Sequence, residues 1–152
     1  PALAAGPAAA LPGVRLVASL DELLPLSQVL SLHVPLNQHT RSMIGAAQLA
    51  RLPRGAILIN TARGEVVDED ALVAALRGGP LYAAGLDTTA QEPLPPDSVL
   101  TQLQNVVLTP HVGGSTPAAL AAMAHGAAQQ VLAYLQGRPM ALSACVNPQV
   151  LS

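Results

Sequence analysis

Three polar side chains stand just beyond strand-like runs in an otherwise apolar chain of 152 residues: Arg63 in Ile59-Asn60-Thr61-Ala62-Arg63-Gly64, Glu92 in Asp87-Thr88-Thr89-Ala90-Gln91-Glu92-Pro93, and His111 in Thr109-Pro110-His111-Val112-Gly113-Gly114. A planar guanidinium pairs bidentately with a carboxylate and polarises an adjacent oxo group. An imidazole is the side chain whose ordinary titration range lies closest to neutrality, so it can take or give a proton. A carboxylate bonded to one ring nitrogen favours the imidazolium and keeps a proton available. Brought together, the three can hold a carboxylate-bearing substrate and move a proton. Each alone has a plainer reading: a surface cation after a strand, a loop histidine satisfied by backbone, a solvated turn acid before proline. The weight comes from three motifs occurring together in order.

The elements that must position these groups can be read from the apolar pattern. Val14-Arg15-Leu16-Val17 is a short strand candidate, and Ser19 with Glu22 has the spacing of a capping box that opens a short helix to about Leu24. Val29-Leu30-Ser31-Leu32-His33-Val34 is a buried strand stopped by Pro35. Residues 46–52 form a short helix, and Ala56-Ile57-Leu58-Ile59-Asn60 is the near-continuous apolar strand of a sheet covered on both faces. Asp68-Glu69-Asp70 begins the next helix, Arg77 sits in its last turn and Gly78-Gly79 ends it. Ala83-Ala84-Gly85-Leu86 and Val106-Val107-Leu108 are two further strands; Thr116-Pro117 opens the last helix, and Gly137 followed by Pro139 closes it. Alternation of strands and helices implies right-handed crossovers and a parallel sheet, whose ligands lie beyond the carboxyl ends of the strands. Arg63, Asp87 and His111 are placed there.

Composition narrows the partners. Charged residues make up 11% of the chain, Tyr82 and Tyr134 are its aromatics, there is no lysine, and the net charge is -2. Without aromatic platforms or a basic face, stacking on bases or tracking a phosphate backbone is disfavoured, so no nucleic-acid partner is expected. The single Cys145 cannot form an internal disulfide and no Cys/His cluster has ligand spacing, which suits a reducing cytoplasm and argues for no metal. Residues 1–13 are an Ala/Pro-rich arm or truncation edge, with neither the basic start of a signal peptide nor a proline-free membrane-length run, so no membrane partner is expected.

In order, spacing and wording, the Arg63, Glu92 and His111 motifs resemble those of the D-isomer-specific 2-hydroxyacid dehydrogenase family, and the resemblance runs from about Val14 to Val150. It implies an α/β fold: part of a Rossmann-type doubly wound parallel sheet, without the N-terminal glycine-rich βαβ unit and most of the substrate domain. Residues 14–136 correspond to the C-terminal part of the dinucleotide-binding domain, and 137–152 to a tail returning toward the substrate domain. The implied activity is hydride transfer between NAD, with NADP the other candidate, and a small D-2-hydroxy acid or its 2-oxo acid, by a homodimer. Arg63 would bind the substrate carboxylate, His111 would be the acid/base, and Glu92 would orient it. The resemblance also lays Val34 and Pro35 along the cofactor, sets Thr61, Ala62 and Arg63 with His111 against the nicotinamide side, and puts Asp87 near the carboxamide. Gly113 and Gly114 would let backbone approach. His33, His39 and His125 carry no expected chemistry. Glu92 stands where the formate-oxidising relatives carry glutamine.

Two departures qualify the resemblance. Thr88-Thr89 stand where the family commonly has an apolar residue and an aromatic, which bears on packing near Glu92. No G-x-G-x-x-G occurs, so the glycine turn that cradles a pyrophosphate is missing. The isolated chain is therefore expected to be inactive, to bind NADH weakly or not at all, and to self-associate or aggregate. Its 29–34 strand should either stand as an apolar edge or take the 14–17 strand beside it. The rival class is a non-catalytic nucleotide-sensing or dimerisation module of the same fold.

Overall fold

The structure, a computed structural model, describes residues 12–138 and 145–147. The chain divides into two compact units, Pro1–His111 and Val112–Ser152. In the first, the apolar runs become four parallel strands that neighbour one another in chain order: β1 (Val29–Leu32), β2 (Ala56–Asn60), β3 (Leu81–Leu86) and β4 (Val106–Leu108). A one-turn helix α1 (Leu20–Leu23) precedes β1, and α2 (Ala46–Leu49) joins β1 to β2. A 3₁₀ turn at Gly64–Val66 and α3 (Glu69–Gly78) join β2 to β3, and a second 3₁₀ turn, Val99–Gln102, leads into β4. Because every pair is parallel, all four carboxyl ends lie at the same edge of the sheet.

The register fixes which side chains share a face. Leu30, Leu58, Ala84 and Val106 form one row, and Leu32, Asn60, Leu86 and Leu108 the next row on the same side. That side is the core: Leu30, Leu32, Leu58, Ala84 and Leu86 are buried in one cluster with Leu49 of α2 and Leu72, Ala75 and Leu76 of α3. On the opposite side Ile57, Ile59 and Ala83 are half-buried while Val29 and Val107 are exposed. Cover on both faces of β2, expected from its apolar run, is thus complete on one face only. The buried residues of α2 and α3 all belong to the cluster on that face.

Helix α3 follows its sequence signals closely. Asp68 caps it by accepting the Ala71 N–H at 3.1 Å, Glu69 and Asp70 occupy its first turn, Arg77 its last, and Gly79 ends it. In the second unit, α4 (Pro117–Leu135) starts as expected, with Thr116 accepting the Ala119 N–H and Pro117 in its first turn, and the chain turns at Gly137 with φ +63°. Pro139, Val150 and residues 1–11 of the Ala/Pro-rich arm lie outside the described residues.

The differences have local causes. Residues 14–17 form no strand, and Val14 and Leu16 are exposed, because a strand needs a neighbour and none is offered beside β1 among the described residues. Of the two arrangements expected, the described residues show the first, with β1 as the outer strand of the sheet. Strand β1 ends at Leu32 rather than Val34, since its partner β2 ends at Asn60, opposite Leu32. His33 beyond it hydrogen-bonds the Ser31 hydroxyl at 2.8 Å. Helix α2 stops at Leu49, before the 50–52 stretch, and β3 begins two residues early, at Leu81. Ser19 caps α1, but the Glu22 carboxylate reaches the Ala18 N–H instead of that of Ser19.

Candidate active site

The carboxyl ends of β2, β3 and β4 carry the three groups, and at the ends of β2 and β3 a buried polar side chain, Asn60 and Asp87, shapes the turn. Asn60, the last residue of β2, is 1% exposed, and its amide spans the next three residues. Its Nδ2 donates to the Arg63 carbonyl at 2.9 Å and its Oδ1 accepts the Ala62 N–H at 3.0 Å. The backbone of 61–63 is thereby curled over the strand end, leaving Thr61 and Arg63 exposed and Ala62 half-buried. The Arg63 guanidinium donates to the Ala62 carbonyl, and among the described residues no carboxylate stands within ion-pair distance of it. It remains a cation available to an anionic ligand.

At the end of β3, Asp87 is 8% exposed and accepts the Thr109 hydroxyl, which ties the β3 and β4 ends together. The backbone repeats the tie: the Asp87 N–H donates to the Asn60 carbonyl and the Thr109 N–H to the Leu86 carbonyl, each at 3.0 Å. Thr88 is buried, and its hydroxyl has no hydrogen-bond partner among the described residues. Thr89 donates its N–H to Glu92 Oε1 at 3.1 Å and its hydroxyl to the Gln91 carbonyl at 2.8 Å. The departure from the family's residues at 88–89 therefore leaves the turn around Glu92 fully formed. The Glu92–Pro93 peptide bond is cis.

His111 follows β4 with φ +54°, the left-handed region that non-glycine residues rarely occupy. Such backbone persists where surrounding bonds fix it and recurs at functional sites. Its N–H returns to the Thr109 carbonyl at 3.0 Å. His111 Nδ1 lies 2.8 Å from Glu92 Oε2. With Nδ1–H donated to the carboxylate, Nε2 is the ring nitrogen left for exchange with a ligand. The pair is partly open, with side-chain exposures of 44% for His111 and 39% for Glu92. The hydrogen bond from His111 holds the Glu92 carboxyl below the ordinary glutamate range. Desolvation opposes this in part, while the Thr89 N–H and the charges of His111 and Arg63 reinforce it. Arg63 is thus close enough for its charge to be felt at the pair.

A cavity of about 660 Å³ opens beside the pair, with Asp87, Glu92, Thr109 and His111 on its polar side and Leu94 and Leu108 on its apolar side. That volume suits a small organic ligand or one end of a cofactor. Arg63 does not line it. Of the other expected contacts, Val34 is half-buried and packed against the core and Pro35 is exposed, both just past β1; Gly113 and Gly114 are exposed in the stretch after His111. Among the described residues no cluster of three or more metal-ligating side chains occurs, and no helix is long and apolar enough to cross a membrane.

Four residues with structural duties at this edge escaped the sequence reading: Asn60, Gly64, Glu69 and Thr109. Asn60 had a signal, a lone amide ending an apolar strand. Gly64 is required by close approach, since a Cβ there would stand 1.9 Å from the Thr89 carbonyl carbon. Glu69 and Thr109 had none, because their partners are distant in sequence.

A parallel sheet with a His–Glu pair and an arginine at its carboxyl edge is a Rossmann-like α/β arrangement, in which ligands bind beyond the carboxyl ends of the strands. Residues 6–113 match the model of the D-isomer specific 2-hydroxyacid dehydrogenase, NAD binding domain. The chain belongs to that family. It is similar to glyoxylate/hydroxypyruvate reductase B of Enterobacter agglomerans, with 49% identity over 87% of this chain and 40% of the relative. Among solved structures it resembles a D-isomer specific 2-hydroxyacid dehydrogenase from Xanthobacter autotrophicus Py2 in complex with NADPH and MES, at TM-score 0.72 and 39% identity over 86% of this chain and 52% of that one. It also resembles the D-lactate dehydrogenase of Lactobacillus jensenii with NAD+, at TM-score 0.74 and 36% identity over 80% of this chain and 41% of that one. The chain spans about 40% of the length of the curated relatives it matches.

Proposed function

We propose that this chain is the C-terminal part of the NAD-binding domain, its residues 14–136 with a tail at 137–152, of a cytoplasmic, homodimeric D-2-hydroxyacid dehydrogenase. The reaction interconverts a small 2-oxo acid and its D-2-hydroxy acid, and glyoxylate and hydroxypyruvate are the substrates that the relatives' names suggest. Arg63 pairs with the substrate carboxylate. His111 Nε2 gives its proton to the oxo oxygen as the carbonyl is reduced, and takes it back in oxidation. Glu92 on Nδ1 fixes the ring and stabilises the imidazolium. NAD(P)H, when bound, supplies the hydride.

The residues present fit the nicotinamide end of such a cofactor. The turn held by Asn60 leaves Thr61 and Arg63 exposed, and Asp87 and Thr109 put a polar pair at the neighbouring strand ends. Val34, Pro35, Thr61, Ala62, Arg63, Asp87, His111, Gly113 and Gly114 would hold it. The observation that carries the reading is the 2.8 Å contact of His111 Nδ1 with Glu92 Oε2 at the carboxyl edge of the sheet.

The test is nucleotide oxidation by the complete polypeptide, with NADH and NADPH compared side by side against glyoxylate and hydroxypyruvate, and the product resolved by chirality where it has a stereocentre. Arg63→Lys should raise KM for the oxo acid more than it lowers kcat, because lysine loses the bidentate geometry. Absence of nucleotide oxidation with any small 2-oxo acid would overturn the proposal.

A further inference from the structure

Glu69 opens α3, yet its side chain takes no part in the helix start. Asp68 is the cap, while Glu69 Oε2 accepts the Ala90 N–H at 3.2 Å, across 21 residues of sequence. Ala90 follows Thr89, whose N–H holds Glu92 Oε1 at 3.1 Å. Gly64 also lies against this backbone, so close that a Cβ would meet Thr89 C, Thr89 O and Ala90 N at 1.9, 2.1 and 2.3 Å. The 89–90 peptide is therefore gripped between the turn carrying Arg63 and the first residue of α3. Glu92 itself is exposed and bonded only to the Thr89 N–H and His111 among the described residues. Nothing else there anchors its carboxylate, so the position of the 89–90 backbone decides where that carboxylate stands.

We propose that Glu69 is a positioning residue for the Glu92–His111 pair, acting through the Ala90 N–H to hold the 88–92 turn against the Arg63 turn. The inference rests on the reading of that pair as the acid/base unit. Removing the Glu69 acceptor frees the Ala90 N–H, lets the turn relax away from α3, and weakens the Glu92 hydrogen bond to His111. Glu65, Asp68 and Asp70 also crowd the start of α3, so loss of charge must be separated from loss of the bond. Asp70, in the same first turn, has no hydrogen bond to the 88–92 turn and serves for that comparison.

The experiment follows the His111 ring nitrogens by NMR at one fixed pH, the signals assigned by loss in His111→Gln, with thermal melting followed in parallel. Glu92→Gln should move the Nδ1 resonance, because the ring loses its carboxylate partner at 2.8 Å. Glu69→Ala should reproduce at least about half of that shift, since the turn that places Glu92 is released. Glu69→Gln, which keeps an oxygen acceptor, should restore most of the wild-type position, and Asp70→Ala should leave the resonance where it was. Glu69→Asp keeps the charge but shortens the arm, so it should behave like Glu69→Ala and stands in for it if the latter fails to fold. A shift with Glu92→Gln but none with Glu69→Ala or Glu69→Asp would overturn the positioning role and leave the pair intact. An equal shift with Asp70→Ala would likewise overturn it, in favour of a general charge effect. No shift with Glu92→Gln would remove the pair, and the positioning role with it.

Discussion

Gly64→Ala is the perturbation whose magnitude the structure fixes best. The new methyl would stand 1.9 Å from the Thr89 carbonyl carbon, where ordinary contact begins at 3.4 Å. One of the two turns must therefore move by about 1.5 Å, and in a close-packed interior neither moves freely. The Arg63 side is held by both Asn60 amide bonds and by the Val67 N–H to the Gly64 carbonyl at 3.0 Å. The other side is held by the bonds of Thr89 and Ala90. Overpacking of this kind costs about 3 kcal/mol, at the upper end of its usual range because backbone rather than a side chain must give way. In a chain of this length each kcal/mol moves the midpoint by roughly 2–4 °C, so far-UV circular dichroism should show melting lowered by about 6–12 °C. Gly78→Ala is the control: a Cβ there meets nothing within 4 Å, and the residue ends α3. It should leave the midpoint unchanged or raise it by up to about 2–4 °C, the worth of about 1 kcal/mol of helix propensity. Equal midpoints for Gly64→Ala and the wild type would refute the close approach of the two turns.

Further outcomes follow from individual bonds. Thr88→Val removes a buried hydroxyl that has no partner among the described residues, and should raise stability by about 1 kcal/mol in urea unfolding. Thr109→Val takes one donor from the buried Asp87 carboxylate and should lower stability by about 1–3 kcal/mol in the same assay. Because the folded state depresses the Glu92 carboxyl below its ordinary range, the pair's contribution is present above the unfolded glutamate value. It is lost as pH falls through the lower folded one. Partial exposure limits that contribution to about 0.5 kcal/mol, so Glu92→Gln should melt slightly below the wild type near pH 6 and converge with it in acid. In turnover, Glu92→Gln should slow the chemical step, and an unchanged rate would remove Glu92 from the acid–base unit.

The sequence was most legible where a local signal and a tertiary demand agree. Helix α3 is such a case: Asp68, Arg77 and Gly79 mark its ends, and its buried residues Leu72, Ala75 and Leu76 meet the sheet at the matching spacing. Strands β2 and β4 were equally plain, because short apolar runs bounded by turn residues have few alternatives. Residues 14–17 read as a strand on propensity alone, yet propensity cannot supply a hydrogen-bonding neighbour. The meeting of Glu92 and His111 was legible only through motif order. The grip of Gly64 and Glu69 on the 89–90 peptide was not legible at all, because neither residue type announces a partner more than 20 positions away. The positive φ of His111 was equally hidden, since histidine carries no glycine-like signal for it.

The central claim is that His111 moves the proton. The direct measurement is single-turnover reduction of a 2-oxo acid by the complete polypeptide with saturating NADH, comparing the wild type with His111→Gln and measuring NADH affinity for both. Loss of the proton donor should slow the chemical step by roughly 10²- to 10⁴-fold. NADH binding should change little, because glutamine keeps a polar side chain of similar size at the strand end. A His111→Gln enzyme that reduces the oxo acid within about threefold of the wild-type rate would contradict the account, since proton transfer is assigned a far larger share of the barrier.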